Sequence, residues 1–126
     1  MNPSVLVVDD DRLFLRLVEL NLEKLGITVK LAESGLEALR LALSERPDVI
    51  LLDLMMPQMD GYEVLRRLKS SEETREIPIV MLTAKSSHDD RIRCEEIGIA
   101  GYITKPFRIE ALCNTVMAIV EEQAES

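Results

Sequence analysis

Aromatic residues, cysteine, histidine and positive charge are all scarce in this sequence, and each scarcity removes a class of function. The 126 residues include no tryptophan and only two tyrosines and two phenylalanines, which argues against recognising single-stranded nucleic acid by base stacking. Lys and Arg number 15 against 23 Asp and Glu, a formal net charge of −8, so direct DNA or RNA binding, which needs phosphates neutralised, is not expected. Cys94 and Cys113 fit neither a CxxC nor a zinc spacing and fall in predicted helices, where they read as small buried hydrophobes. The single histidine, His88, lies in the polar stretch Ser86-Ser87-His88-Asp89-Asp90, reads as a solvated helix start, and has no catalytic partner nearby. No apolar run is long enough to cross a bilayer, and Met1-Asn2-Pro3-Ser4 lacks the charged and apolar regions of a secretory signal. The expectation is a cytoplasmic protein, one domain over residues 1–126, with protein partners and neither membrane nor direct nucleic-acid contact.

What is present is organised around Asp48-Val49-Ile50-Leu51-Leu52-Asp53. Val49 to Leu52 is an unbroken apolar run too short for a helix, as in a strand buried on both faces of a parallel sheet. Asp53 follows directly, so it stands at the carboxyl edge of that sheet, and Pro57 and Gly61 then force a loop. Val5 to Val8 repeats the arrangement and runs into Asp9, Asp10 and Asp11. Further strands are predicted at Ile27 to Leu31, Ile77 to Leu82 and Ile99 to Thr104.

Helices are predicted between the strands. Leu13 to Leu25 has Phe14, Leu17, Val18, Leu22 and Leu25 at helical spacing and stops at Gly26. The Ser34-Gly35-Leu36-Glu37 capping box opens a second, with Leu36, Leu39, Ala42 and Leu43 as its buried face. A third runs from Asp60-Gly61 to about Lys69, followed by a polar connector from Ser70 to Glu76. The fourth, Asp89 to Ile97, is poor in apolar residues and should be loosely anchored. Lys105-Pro106-Phe107 opens a fifth through Ile109, Leu112, Val116, Ile119 and Val120, and Glu121 to Ser126 reads as a polar tail.

Five strand-helix alternations imply an α/β fold: a doubly wound five-stranded parallel sheet with helices on both faces. In the common order 2-1-3-4-5, strands 1 and 3 are neighbours where the winding reverses, so Asp9, Asp10 and Asp53 converge in one crevice. Thr83 and Lys105 stand at the ends of the next two strands. Three carboxylates in a partly desolvated crevice repel one another unless a cation compensates. An oxygen-only set favours Mg²⁺, which is commonly held by one or two carboxylates together with waters and phosphate oxygens. An Asp beside such an ion can attack phosphorus, with a Lys ammonium and a Thr hydroxyl stabilising the charge that develops.

The motifs Val7-Val8-Asp9-Asp10, Asp53-Leu54-Met55-Met56-Pro57 with Asp60-Gly61, Val80-Met81-Leu82-Thr83-Ala84 and Gly101-Tyr102-Ile103-Thr104-Lys105-Pro106-Phe107 occur in an order that resembles the receiver domain of two-component response regulators. The resemblance covers about Val5 to Val120, with the domain's core at about residues 5–120. The strand order above is the family's own, so alternation and resemblance are not independent support for it.

The resemblance implies that Asp53 is a phosphoacceptor served by a sensor histidine kinase or phosphotransfer protein. It implies that Mg²⁺ is held by Asp10, Asp53 and the Met55 backbone carbonyl, with Asp9 acting through a water. Lys105 would pair with the phosphoryl group, Thr83 would hydrogen-bond to it, and Tyr102 would change rotamer as the Thr83 loop closes. The fourth helix, fifth strand and fifth helix would then present a changed surface to a downstream protein or output domain. A cis Lys105-Pro106 bond is expected on the same ground. Met55 and Lys85, two positions after Asp53 and Thr83, would flank the water that removes the phosphoryl group, and neither can orient it, which implies slow self-dephosphorylation. Asp11 falls outside the acidic pair and reads as a helix N-terminal charge. Phe107 reads as a core aromatic, Tyr102 equally as core or switch, and Met55, Met56 and Met59 as packing about the site.

An aspartyl-nucleophile phosphatase is the alternative. It is disfavoured because the chain has no cap insertion and because Met55, not an acid, stands two residues after Asp53. A flavin- or nucleotide-binding protein is disfavoured because no glycine-rich loop follows the first strand. The residues past Val120 are too few for an output domain, and a stand-alone receiver and one excised from a longer protein would read the same.

Overall fold

The five strands are β1 (Ser4–Val8), β2 (Thr28–Ala32), β3 (Val49–Leu52), β4 (Ile79–Thr83) and β5 (Gly101–Thr104), with β1, β3 and β4 built on short runs of mostly Val, Ile and Leu. They alternate with helices α1 (Arg12–Glu23), α2 (Gly35–Glu45), α3 (Gly61–Ser70), α4 (His88–Ile97) and α5 (Ile109–Ala124). The computed structural model describes residues 2–56, 60–84 and 87–124. Pro57, Met59 and Lys85, each given a part in the sequence reading, lie outside the described residues.

All neighbouring strands pair in parallel, in the order β2-β1-β3-β4-β5. Because side chains alternate along a strand, each central strand feeds two cores. Leu6, Val8, Ile50, Leu52, Ile79 and Met81 pack with residues of α2, α3 and α4, including Ala38, Leu65 and Cys94. Val5, Val7, Val49, Leu51, Val80 and Leu82 pack with α1 and α5 through Val18, Leu22, Leu112 and Val116. Each fully buried Leu or Ile contributes roughly 2 kcal/mol, and β3, buried throughout, is a securely fixed platform for the residue that follows it. Among the described residues no helix is long and apolar enough to cross a membrane.

Several helix faces differ from expectation. In α1 the buried residues are Leu15, Val18 and Leu22, whereas Leu17 is 51% exposed and Leu25, beyond the helix, 47%. In α2 they are Gly35, Ala38 and Ala42, with Leu36 and Leu43 largely outside. Small residues bring α2 close to the sheet, and its leucines flank the contact. The fourth strand begins at Ile79 instead of Ile77, because the Ile77 N–H turns back to the Thr74 carbonyl at 3.0 Å. The preceding connector is not wholly solvated: Thr74 is buried and its hydroxyl donates to the Leu68 carbonyl at 2.6 Å. The fifth strand starts at Gly101 and the last helix at Ile109. That helix runs on to Ala124, so Glu121 to Gln123 are helical and not a tail.

Ser34 caps α2 by accepting the Glu37 N–H, Asp60 caps α3 by accepting the Glu63 N–H, and Gly26 after α1 takes φ +83°. His88 is exposed as the first residue of α4. Both cysteines are free: Cys94 is fully buried, and burial pushes its thiol up to about 11, while Cys113 is only partly buried. The Lys105-Pro106 bond is cis.

Candidate functional site

The register fixes the centre of the site. Val8 on β1 lies opposite Leu52 on β3, so the next residues, Asp9 and Asp53, leave the sheet side by side. Their backbones remain tethered: the Asp53 N–H donates to the Val8 carbonyl and the Asp9 N–H to the Ala32 carbonyl, each at 3.1 Å. Both side chains are almost fully covered, at 5% exposure for Asp53 and 1% for Asp9, while Asp10 is exposed. Carboxylate oxygens of the three lie within 4.8 Å of one another.

Lys105, just past β5, reaches into this cluster. Its Nζ lies 2.6 Å from Asp9 Oδ2 and 3.6 Å from Asp53 Oδ2, and its own N–H donates to the Thr83 carbonyl at 2.7 Å. Thr83 is wholly buried at the end of β4. Four of the residues singled out from the sequence, Asp9, Asp10, Asp53 and Lys105, thus meet, and Thr83 is tied to the same group through the Lys105 backbone. Met55 is present as a backbone partner: its N–H donates to Asp53 Oδ1 at 3.0 Å, and its side chain is half exposed.

Burial is the largest influence on Asp53 and raises its pKa, with Asp9 adding in the same direction; the Met55 hydrogen bond and Lys105 oppose it without cancelling it. For Lys105 burial is again the largest single influence and acts downward. The hydrogen bond to Asp9 and the charges of Asp53 and Asp9 together outweigh it, so Lys105 stays firmly protonated. The site holds its cation tightly and leaves one carboxylate, Asp53, incompletely compensated.

The loop after Asp53 is drawn in by Gly61, whose N–H donates to the Leu54 carbonyl at 3.0 Å. A Cβ here would run into the Asp53 carbonyl oxygen and would lie 2.5 Å from Leu54 Cα. Gly61 is therefore the first residue of α3 as well as part of the loop, and its task is close approach. Asp11 caps α1: its Oδ1 accepts from Leu13 N–H at 3.0 Å and Phe14 N–H at 3.2 Å. That agrees with its reading as a helix N-terminal charge.

Tyr102 lies on β5, three residues before Lys105. It is partly buried against the core cluster that includes Cys94 and Met81, with the Arg91 guanidinium 5.8 Å from its ring centroid. Burial pushes its phenol up to about 12, so it remains a protonated donor at neutral pH. The sequence reading missed how α4 is held. Tyr62 of α3, 5% exposed, donates its hydroxyl to the Asp90 carboxylate, whose other oxygen accepts from the Ser87 hydroxyl at 2.7 Å, and Arg93 covers the Tyr62 ring at 3.9 Å. Burial, reinforced by Asp90, shifts the Tyr62 phenol strongly upward. Tyr62 next to a capping Asp60 carried no sign of a partner 28 residues away.

The donor set suits a hard divalent ion: the clustered side chains offer only carboxylate oxygens, with no His or Cys among them. Two are nearly buried, so an ion held there would offset charge that solvent does not.

A family model described as "Response regulator receiver domain" matches residues 5–117. The chain is 41% identical over 118 residues to the DNA-binding dual master transcriptional regulator RpaA of Synechocystis, covering 94% of this chain and 49% of that protein. It is 42% identical over 120 residues to the alkaline phosphatase synthesis transcriptional regulatory protein PhoP of Bacillus subtilis, covering 95% and 49%. It thus spans about half the length of these curated relatives. Among solved structures, the receiver domain of Francisella response regulator 1452 superposes with a TM-score of 0.90 at 34% identity, covering 97% of this chain and 99% of that one.

Proposed function

Since the chain belongs to the response regulator receiver domains, and is thus a phosphorylation-controlled switch of two-component signalling, we propose that Asp53 is the residue phosphorylated. The observation that carries this reading is the incompletely compensated Asp53 carboxylate, fixed at the end of the fully buried β3 and facing both an acidic pair and a lysine. A carboxylate oxygen of Asp53 attacks the phosphorus of a phosphohistidine on a sensor kinase or phosphotransfer protein. A P–O bond forms, the P–N bond breaks, and its electron pair stays on the imidazole nitrogen, which takes a proton from solvent. Lys105 neutralises the phosphoryl oxygens, and the Thr83 hydroxyl donates a hydrogen bond to them.

Mg²⁺ would be held by Asp10, Asp53 and the Met55 carbonyl, with Asp9 acting through a water. When bound, it supplies positive charge against the carboxylates and the incoming phosphoryl group. Output follows from moving Thr83 and Tyr102, with the surface of α4, β5 and α5 read by a downstream protein or by an output domain. Cys94 is the one fully buried residue of α4, so the helix is held to α3 in good part by the contacts of Asp90 and Arg93 with Tyr62, and such polar and cation–π contacts rearrange more readily than core packing. We assign the chain a single receiver unit working in the cytoplasm. DNA contact in relatives such as RpaA belongs, on this reading, to the part of those proteins outside the match, because the net charge of −8 suits no phosphate backbone.

Incubation with acetyl phosphate and Mg²⁺ is expected to add one phosphoryl group by intact mass, and no addition in Mg²⁺ would sink the reading. Self-dephosphorylation is expected to be slow, because Met55 offers bulk and no group to orient water. Met55→Asn should speed phosphoryl loss about fivefold, the worth of one neutral hydrogen bond gained in the transition state. Decay of the phosphorylated protein at fixed Mg²⁺ and pH checks it, and equal rates would remove this role for position 55.

A further inference from the structure

We propose that Phe14 is a positioning residue for Lys105, a role that rests on Lys105 serving the phosphoryl group as described above. The Lys105 Nζ lies 4.3 Å from the Phe14 ring centroid. Two carboxylates hold the ammonium, Asp9 at 2.6 Å and Asp53 at 3.6 Å, and the aromatic ring is a further partner. A cation near an aromatic face is held by the ring's negative charge, and it is held without a competing anion. Phe14 therefore restrains the ammonium without adding another negative charge to a site that already gathers three carboxylates.

The backbone that carries the ring is tied to the same carboxylate. Asp9 accepts Lys105 Nζ with Oδ2 and the Asp11 N–H with Oδ1 at 3.0 Å. Asp11 in turn caps the first turn of α1, accepting the Phe14 N–H at 3.2 Å. Asp9, Asp11, Phe14 and Lys105 thus form a closed circuit of contacts that passes through the Phe14 backbone on one side and its ring on the other. Phe107, two residues after Lys105, braces the outer side by an edge-to-face contact with Phe14 at 5.8 Å between centroids and 86° between planes. Phe14 is only partly buried and packs, with Phe107, against the core cluster that contains Leu15, Val18 and Leu22, so its ring meets that cluster and the Lys105 ammonium at once. An open cavity of about 330 Å³ lined by Phe14, Leu17, Lys105, Pro106, Phe107 and Ile109 flanks the pair. A side chain lacking a ring would let Lys105 swing into it.

The test separates the ring's electronics from its bulk. Phe14 is replaced by mono-, di- and pentafluorophenylalanine, which keep its shape and progressively remove the negative charge on its face. The rate of phosphorylation by acetyl phosphate at fixed Mg²⁺ should fall in that order. Phe14→Leu should fall about two- to fivefold and Phe14→Tyr should restore the rate. Independently of activity, the Lys105 Hε protons should show an upfield ring-current shift in the wild type that Phe14→Leu abolishes. A flat fluorination series, or Hε resonances unshifted in the wild type, overturns the inference. Lys105→Ala, run in parallel, tells which claim has failed. If its rate is unchanged, Lys105 has no part in phosphoryl transfer and the underlying reading falls. If it is impaired while the position-14 series is flat, only Phe14 loses its role.

Discussion

Asp53→Asn is expected to abolish phosphorylation by acetyl phosphate and at the same time to make the metal-free protein more stable at neutral pH. The first effect follows from nucleophilicity: an amide oxygen does not attack phosphorus as a carboxylate does. The second follows from linkage. Burial raises the Asp53 pKa, so the folded protein binds that proton more tightly than the unfolded chain. This contribution favours folding at pH below the unfolded value and is lost as pH rises through the folded value. At pH 7 the ionised carboxylate is therefore a cost, only partly offset by Lys105 at 3.6 Å. Asn is nearly isosteric and can still accept the Met55 N–H, and Lys105 keeps Asp9 at 2.6 Å. The gain should be about 1 kcal/mol at pH 7 in EDTA, a modest part of what burying one charge costs. It should shrink as pH falls through the raised folded value of Asp53 and be gone below the value of the unfolded chain, because the wild-type carboxyl is then protonated in both states. Urea unfolding across this range checks the sign. A variant less stable than wild type at pH 7, or one that still gains a phosphoryl group, contradicts the account. Saturating Mg²⁺ should narrow the gap by stabilising the wild type, which keeps the full ligand set.

That Asp53 sits on such a platform was legible because Val49 to Leu52 is apolar without interruption, and the strand found there has those bounds. Strand ends are read well when an apolar run meets a carboxylate. Helix faces in leucine-rich segments are not. In α1, leucines occupy positions 13, 15, 17, 20 and 22, so several stripes satisfy the same period and the sheet alone decides which is buried. In α2 the reading weighted size, whereas the contact uses Gly35, Ala38 and Ala42. The convergence of Asp9, Asp10, Asp53 and Lys105 could be read from topology, since each follows a strand of one sheet. The Tyr62 to Asp90 link and the Phe14 ring near Lys105 could not. Each depends on where one side chain lands across two elements, and neither residue's immediate neighbours encode it.

Gly61→Ala is expected to cost more than about 3 kcal/mol, the size reserved for backbone overlap and core strain. The added methyl would collide with the Asp53 carbonyl oxygen and come within 2.5 Å of Leu54 Cα. Both are main-chain atoms at the end of a strand buried on both faces, so no rotamer change relieves the overlap. Either α3 moves outward, breaking the Gly61 N–H bond to the Leu54 carbonyl, or the loop moves and carries Asp53 with it. The second route also displaces the carboxylate from Asp9 and Lys105, so the folded fraction should lose Mg²⁺ affinity and phosphorylation together. Gly101→Ala is the control: its methyl would meet the Val80 methyls at 3.6 Å, an ordinary contact. That change should cost less than about 1 kcal/mol. Urea midpoints of the two variants, with Mg²⁺ titrations under native conditions, give the comparison. Equal destabilisation would mean that close approach at Gly61 is not what fixes the loop beneath Asp53.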